Sequence, residues 1–142
     1  MIIAIGGDHA SPDLKKAIID KFGADDTVFN NFGTNDHSSV DYPDFGHPVA
    51  KAVLNGSADL GIVICGSGNG INMTVNKYAG IRSALCWTTE LASLARQHND
   101  ANILALPARF VSTDQAMDIV AAFLSAKFEG GRHQNRVNKI NC

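Results

Sequence analysis

The segment from Cys65 to Gly70, CGSGNG, joins a thiol to a glycine-rich loop. It follows an apolar run and precedes a predicted helix, so its backbone N–H groups, unhindered at the glycines, could bind an anion. Cys65 beside them is expected to have an accessible sulfur that acts on a bound ligand. Two plainer interpretations remain open: the loop is a tight turn, and Cys65 is a small buried core residue.

Ile71 separates this loop from several known nucleotide and phosphate motifs. The dinucleotide fingerprint needs a glycine at that position, and a thiol phosphatase needs an arginine there. A nucleophile elbow would need glycine in place of Cys65, and a P-loop would need Gly-Lys followed by Ser or Thr. The sequence therefore indicates an anion site without the residues for dinucleotide binding or phosphoryl transfer.

Two further groups of polar residues could act on an anionic ligand. His98 lies near the end of a predicted helix, where a histidine suits a general acid, although it could equally cap the helix on a polar surface. Arg132 and Arg136 are four residues apart, so on a helix they share a face and could hold one anion together. Solvated surface arginines are the plainer explanation of that pair.

Short apolar runs alternate with amphipathic stretches, and this alternation predicts how the polar residues are positioned. Five buried parallel strands are predicted at 2–5, 27–32, 60–65, 83–87 and 102–106. Helices are predicted to start at Pro12, near Pro43, after Gly70, at Thr88 or Thr89, and near Thr113.

Strict β-α alternation indicates an α/β fold: one doubly wound five-stranded parallel sheet of order 2-1-3-4-5, helices on both faces, and a C-terminal helical tail. Ligands of such sheets bind beyond the carboxyl ends of the strands, between strands 1 and 3. Asp8 and His9, which follow strand 1, are therefore expected beside the Cys65 loop.

Composition narrows the classes of protein. The 142 residues, 45% apolar and 18% charged, predict a single ordered domain spanning 1–142. A net charge of −2 without a basic run argues against nucleic-acid or membrane-surface partners, and no apolar stretch could span a bilayer. The amino-terminal segment lacks a secretory-signal pattern. Three widely spaced cysteines, Cys65, Cys86 and Cys142, favour a reducing, cytoplasmic location; the last two are given no role.

Several longer motifs occur in order along the chain: GGDHAS at 6–11, DYPDFG at 41–46, ICGSGNGI at 64–71, NKYAGIR at 76–82, ARQHNDANILAL at 95–106 and EGGRHQNRV at 129–137. With these motifs the chain resembles, over essentially its whole length, the B-type ribose-5-phosphate isomerases, a family that also contains allose-6-phosphate and galactose-6-phosphate isomerases. The resemblance implies interconversion of ribose 5-phosphate and ribulose 5-phosphate through a cis-enediolate, in the non-oxidative branch of the pentose phosphate pathway, without a metal or cofactor.

The resemblance also implies a role for each matching residue. Cys65 is the base that moves a proton between C2 and C1, His98 helps to open the furanose ring, and Asp8 lies close to the ring oxygens. The remaining matches are the enediolate loop (Gly66, Ser67, Gly68, Asn69, Gly70), the sugar-hydroxyl contacts (Tyr42, Asn99) and the phosphate contacts (His9, Arg109, Arg132, Arg136). Some members have threonine at the position of Ser67, which keeps the hydroxyl. Others carry a glutamate base where this chain has Ile71, which leaves Cys65 as the base.

Members of this family are dimers or pairs of dimers with shared active sites, so the resemblance implies that His98, Asn99 and Arg109 reach into a neighbouring chain's pocket. Two alternatives stay open. One is a hexose-6-phosphate isomerase of the same mechanism, because pocket depth decides sugar length. The other is a non-catalytic, flavodoxin-like module that binds a phosphorylated ligand, although such a module needs no base.

Overall fold

A parallel five-stranded sheet organises the computed structural model, which describes residues 1–24 and 26–141. In chain order the elements are β1 (Ile2–Gly7), α1 (Pro12–Phe22), β2 (Val28–Asn31), α2 (Tyr42–Leu54), β3 (Leu60–Cys65), α3 (Asn69–Val75), β4 (Ser83–Leu85), α4 (Thr89–Asn99), β5 (Ile103–Pro107), α5 (Thr113–Ser125) and α6 (Arg132–Val137). The predicted α/β class, the all-parallel sheet and the helical tail are confirmed.

The strand order is β2-β1-β3-β5-β4, so the predicted order 2-1-3-4-5 is wrong at one edge. All five residues of β5 are buried, whereas the three residues of β4 are only half-buried. A central strand needs apolar residues on both faces, so β5 takes the position beside β3 and β4 becomes the edge. Cys65 consequently pairs in register with Pro107, and the loop after β5 lies against the loop after β3.

The two faces of the sheet differ in side-chain size. Alternate residues along the strands point to opposite faces. Large residues such as Ile5, Ile64 and Leu106 lie with α1, α4 and α5 in one core cluster. Ala4 and Ala105 lie in the other cluster, against α2 and α3. The smaller residues let α2 approach closely, and a Cβ on Gly61 would lie 2.9 Å from Val49. Helices on both faces are thus confirmed.

Local sequence signals determine where several of the helices begin. Pro12 begins α1, Thr88 Oγ1 accepts a hydrogen bond from Leu91 N at the start of α4, and Ser112 forms a capping box with Gln115 at the start of α5. Helix α3 begins at Asn69, two residues earlier than predicted. Strand β2 is an edge strand with Val28 exposed, so the expectation that it is buried is wrong.

Within the described ranges, no helix combines the length and the apolar character needed to cross a membrane. Cys86 is buried, and this burial raises the pKa of its thiol to about 12. Cys142 lies outside the described residues.

Candidate active site

The carboxyl ends of β1 and β3 meet at the center of the sheet. Asp8 N donates to Ile64 O at 3.1 Å, one residue before Cys65. The side chain of Asp8 is mostly buried, and its Oδ1 accepts a hydrogen bond from Ala10 N at 2.9 Å. The predicted meeting of the Asp8 and Cys65 segments is therefore confirmed, and their position follows from the register of β1 with β3.

His9 extends this segment towards the loop before α2. Its Nδ1 accepts a hydrogen bond from Val40 N at 3.3 Å. In a neutral imidazole that acceptor role leaves the proton on Nε2, so His9 can donate a hydrogen bond to an anion from Nε2. The side chain is half-buried, which suits a group that contacts a ligand.

The loop from Gly66 to Gly70 has a shape that requires glycine. Gly68 adopts a φ of 75°, a left-handed conformation that side chains disfavour. A Cβ on Gly70 would lie 2.8 Å from Cε1 of Tyr42, so the tyrosine ring packs directly on the loop. Ser67 and Asn69 present exposed side chains, and Ser67 Oγ accepts a hydrogen bond from Asn69 N at 3.3 Å. The loop therefore offers a hydroxyl, an amide and first-turn N–H groups at one place.

Cys65 ends β3 and is 4% exposed, so the expectation of an accessible sulfur is wrong for the single chain. Its carbonyl accepts a hydrogen bond from Ala108 N at 3.0 Å, and Gly66 O accepts one from Arg109 N at 3.0 Å. A Cβ on Gly66 would lie 3.2 Å from Arg109 Nη1. The loops after β3 and β5 are joined, and Arg109 lies beside its own chain's loop rather than apart from it, which differs from the implied reach into a neighbour.

An open cleft of about 440 Å³ borders this loop. Its lining combines Ser67 and Asn69 with apolar side chains (Leu85, Trp87, Pro107, Phe110). Trp87 is 55% exposed and Phe110 is 73% exposed. Sequence reasoning missed both aromatic residues. Trp87 is the last residue of a predicted strand and Phe110 follows another, and this position at the carboxyl end of the sheet is the signal that could have identified them.

His98 and Asn99 lie at the opposite end of the sheet. Arg82, the residue just before β4, donates a hydrogen bond from Nε to Asn99 O at 3.0 Å. Gly61, near the start of β3, donates one from its backbone N to Asn102 O at 2.9 Å. From Gly61 to Cys65 a strand rises by about 13 Å. The structure therefore does not bring His98 to the Cys65 of its own chain.

The C-terminal tail, residues 126–141, packs against His98 at the end of α4. The rings of His98 and His133 stack with centroids 4.2 Å apart, and Glu129 lies beside both. Burial lowers the pKa of His133, and the positive charges of His98 and Arg132 lower it further. Arg132 and Arg136 are exposed on α6, one turn apart as predicted. Glu129 and His133 were missed, although both occur in the EGGRHQNRV motif.

Comparison with known proteins assigns this arrangement to a family. A family model described as Ribose/Galactose Isomerase matches residues 3–140. The ribose-5-phosphate isomerase B of Escherichia coli is 44% identical over 99% of this chain and 94% of that protein.

Two solved structures share the fold. The ribose-5-phosphate isomerase B of Clostridium thermocellum superposes with a TM-score of 0.96, at 51% identity, covering 99% of this chain and 95% of that one. The Mycoplasma genitalium ribose-5-phosphate isomerase B, solved with bound ribulose-5-phosphate, gives a TM-score of 0.93 at 44% identity, covering 98% and 93% of the two chains. The chain belongs to the ribose/galactose isomerase family.

Proposed function

We propose that this protein is an aldose–ketose isomerase that interconverts ribose 5-phosphate and ribulose 5-phosphate, acting in the cytoplasm as a single domain spanning residues 1–142. The observation that carries the proposal is the likeness to the Mycoplasma genitalium structure, which holds ribulose-5-phosphate and matches this chain over 98% of its length. The loop that joins a thiol, a hydroxyl and first-turn N–H groups supplies the chemistry that such a reaction needs.

Cys65 is the base in this proposal. In its thiolate form it takes the proton from C2 of the open-chain aldose, and the electron pair moves through C1 to place negative charge on O1. A proton passes from the O2 hydroxyl to O1, which leaves the negative charge on O2. The C2 carbonyl then forms as the C1–C2 double bond takes the proton back from the thiol at C1, which gives the ketose and restores the thiolate. Ser67 Oγ and the N–H groups of Gly66 to Gly70 donate to the enediolate oxygens, because donors held in place before the reaction stabilise developing charge.

Binding of the phosphate group, which lies away from the reacting carbons, orients those carbons in the site. His9, Arg109, Arg132 and Arg136 are proposed to bind it, and Nε2 of His9 is the donor left free by its bond to Val40. Tyr42 and Asn99 are proposed to contact the sugar hydroxyls. Asp8 is proposed to contact the ring oxygens.

Two copies of the chain are proposed to share each active site. His98, the proposed acid for ring opening, lies at the end of the sheet opposite Cys65 within a chain, and the strand between those ends rises by about 13 Å. A two-fold axis perpendicular to the strands would bring the amino end of one sheet to the carboxyl end of the other. His98, Asn99, Arg132 and Arg136 of one chain would then face the loop of its partner. Exposed Trp87 and Phe110 beside the loop offer apolar surface for this contact. A homodimer or a pair of such dimers satisfies the geometry.

The test is an isomerase assay of the purified protein with ribose 5-phosphate, run beside allose 6-phosphate and galactose 6-phosphate. We expect turnover of the pentose phosphate, and loss of turnover with retained ligand binding in Cys65→Ala. The matched control is Cys86→Ala, the same change at a buried cysteine outside the site, which should keep the activity.

Three results would contradict the proposal. Preferred turnover of a hexose phosphate would make the protein a hexose-6-phosphate isomerase. A protein that binds a flavin or a sugar phosphate but turns over none of the three would be a binding module. Normal turnover by Cys65→Ala would remove Cys65 from the mechanism.

A further inference from the structure

Three side chains that can bind metals converge where the tail packs on the end of α4. His98 Nε2 lies 3.8 Å from Glu129 Oε2, and His133 Nε2 lies 3.6 Å from the same oxygen. One ligand atom from each of the three residues lies within 4.8 Å of the other two. Two imidazoles and a carboxylate form a donor set that borderline divalent ions such as Zn²⁺ prefer.

The local structure holds this cluster together before any ion binds. His133 is 7% exposed, so its ring is fixed by packing. The His98 ring stacks on it within 9° of parallel, and because imidazole lone pairs lie in the ring plane, the less buried His98 ring must turn out of the stack for both histidines to face one ion. Glu129 N donates to Gln97 O at 3.0 Å, which ties the backbone of the tail to the last turn of α4. A site whose ligands are already gathered loses little conformational entropy on binding.

Two of the three ligand separations come close to those of a tetrahedral ion. Zn²⁺ bonds of about 2.0–2.1 Å in tetrahedral geometry place ligand atoms about 3.4 Å apart. The 3.6 and 3.8 Å separations from Glu129 need a contraction of a few tenths of an ångström. The ligand atoms of the two histidines lie within 4.8 Å of each other, so this third separation closes only when the His98 ring moves. The half-buried His98 side chain and the exposed Glu129 side chain have room for these movements, and the solvent side leaves a position for water. Arg132 and Arg136 lie near His133 and oppose a cation, so the site is expected to be weaker than a structural zinc site.

We propose that His98, Glu129 and His133 bind Zn²⁺ or a similar divalent transition-metal ion, and that this ion inhibits the protein. Inhibition follows because a metal on Nε2 of His98 occupies the nitrogen that would carry the proton for ring opening. This second half rests on the isomerase function proposed above, whereas metal binding does not.

Binding is tested first, by calorimetric titration of the full-length protein with Zn²⁺ in the absence of sugar phosphate. We expect one ion per chain, and at least about tenfold weaker binding in Glu129→Gln and in His133→Gln, because changing even an outer partner of a metal ligand costs that much. Glu90→Gln and His37→Gln are matched controls at exposed positions and should bind as the parent does. Glu129 is also exposed, so its variant is informative even if His133→Gln fails to fold.

Inhibition is tested second, on the initial rate with ribose 5-phosphate. Zn²⁺ should inhibit the parent and Glu90→Gln, a chelator should restore the rate, and Glu129→Gln should need at least about tenfold more Zn²⁺. Equal Zn²⁺ affinity in the parent and Glu129→Gln would overturn the site. Inhibition that Glu129→Gln leaves unchanged would overturn the inhibitory role and direct attention to the thiol of Cys65. A protein without isomerase activity would refute the proposed function alone, since the titration would still decide the site.

Discussion

Mixing two inactive variants should restore activity if the active site is shared. Cys65→Ala removes the proposed base and His98→Ala removes the proposed acid. Within one chain the two residues lie at opposite ends of the sheet, and the strand between those ends rises by about 13 Å, so neither can serve a pocket built around the other in the same chain. In a mixed dimer one pocket therefore receives both defects and the other receives neither. Random exchange makes half of the dimers mixed, and one intact pocket in two gives roughly a quarter of the parental activity.

The assay is isomerase activity after partial unfolding and joint refolding of equal amounts, compared with separately refolded variants. Cys65→Ala mixed with Ser67→Ala is the matched control, because both residues belong to the same loop and every mixed pocket would carry one defect. That control should show no gain over the mean of its separate components. The shared site would be refuted by a Cys65→Ala and His98→Ala mixture as inactive as its components, with mixed dimers verified by mass spectrometry of differently tagged chains.

Three further predictions concern the phosphate contacts, a buried lysine and a buried thiol. Arg132→Ala or Arg136→Ala should each weaken the binding of inorganic phosphate, measured as competitive inhibition, by about 1.5–3 kcal/mol, the contribution of a charge-assisted hydrogen bond. Lys127→Ala, at an exposed position, should leave the inhibition unchanged. Equal inhibition in all of these variants would place the phosphate site elsewhere. Burial lowers the pKa of Lys15 from 10.5 to about 8, so the unfolded chain binds more protons between those values and the free energy of unfolding rises with pH there. Relative to Lys15→Met, the parent should gain up to about 3 kcal/mol in chemical denaturation across that window, and a constant difference would contradict this. Cys86 should resist alkylation in the native protein near neutral pH, since its pKa is raised to about 12, and rapid labelling seen by peptide mass mapping would argue against its burial.

Local sequence patterns were sufficient for the elements and for one half of the candidate site. Uniformly apolar runs predicted β1, β3 and β5 because a strand covered on both faces has no room for polar side chains. Pro12 and the Ser112 cap marked helix starts by local chemistry. The alternation of strands and helices then brought Asp8 beside Cys65, since parallel strands end at the same edge of the sheet.

The order of the last two strands depended on a comparison between distant segments. Whether β4 or β5 lies beside β3 is decided by how completely each strand can be buried. Because β5 lies beside β3, the loop after β5 contacts the loop after β3, and Arg109 N donates a hydrogen bond to Gly66 O. The accessibility of Cys65 likewise depended on the packing around the end of its strand.

The sequence by itself determined which residues carry chemistry and which segments form the sheet, because residue type, periodicity and capping act over a few neighbouring positions. Only the tertiary structure separated His98 from Cys65 and gathered His98 with Glu129 and His133. A crossover helix returns the chain to the amino end of the sheet, and the tail packs on that end of α4. Contacts of this kind join segments far apart in sequence, so they follow from the packing of the whole chain.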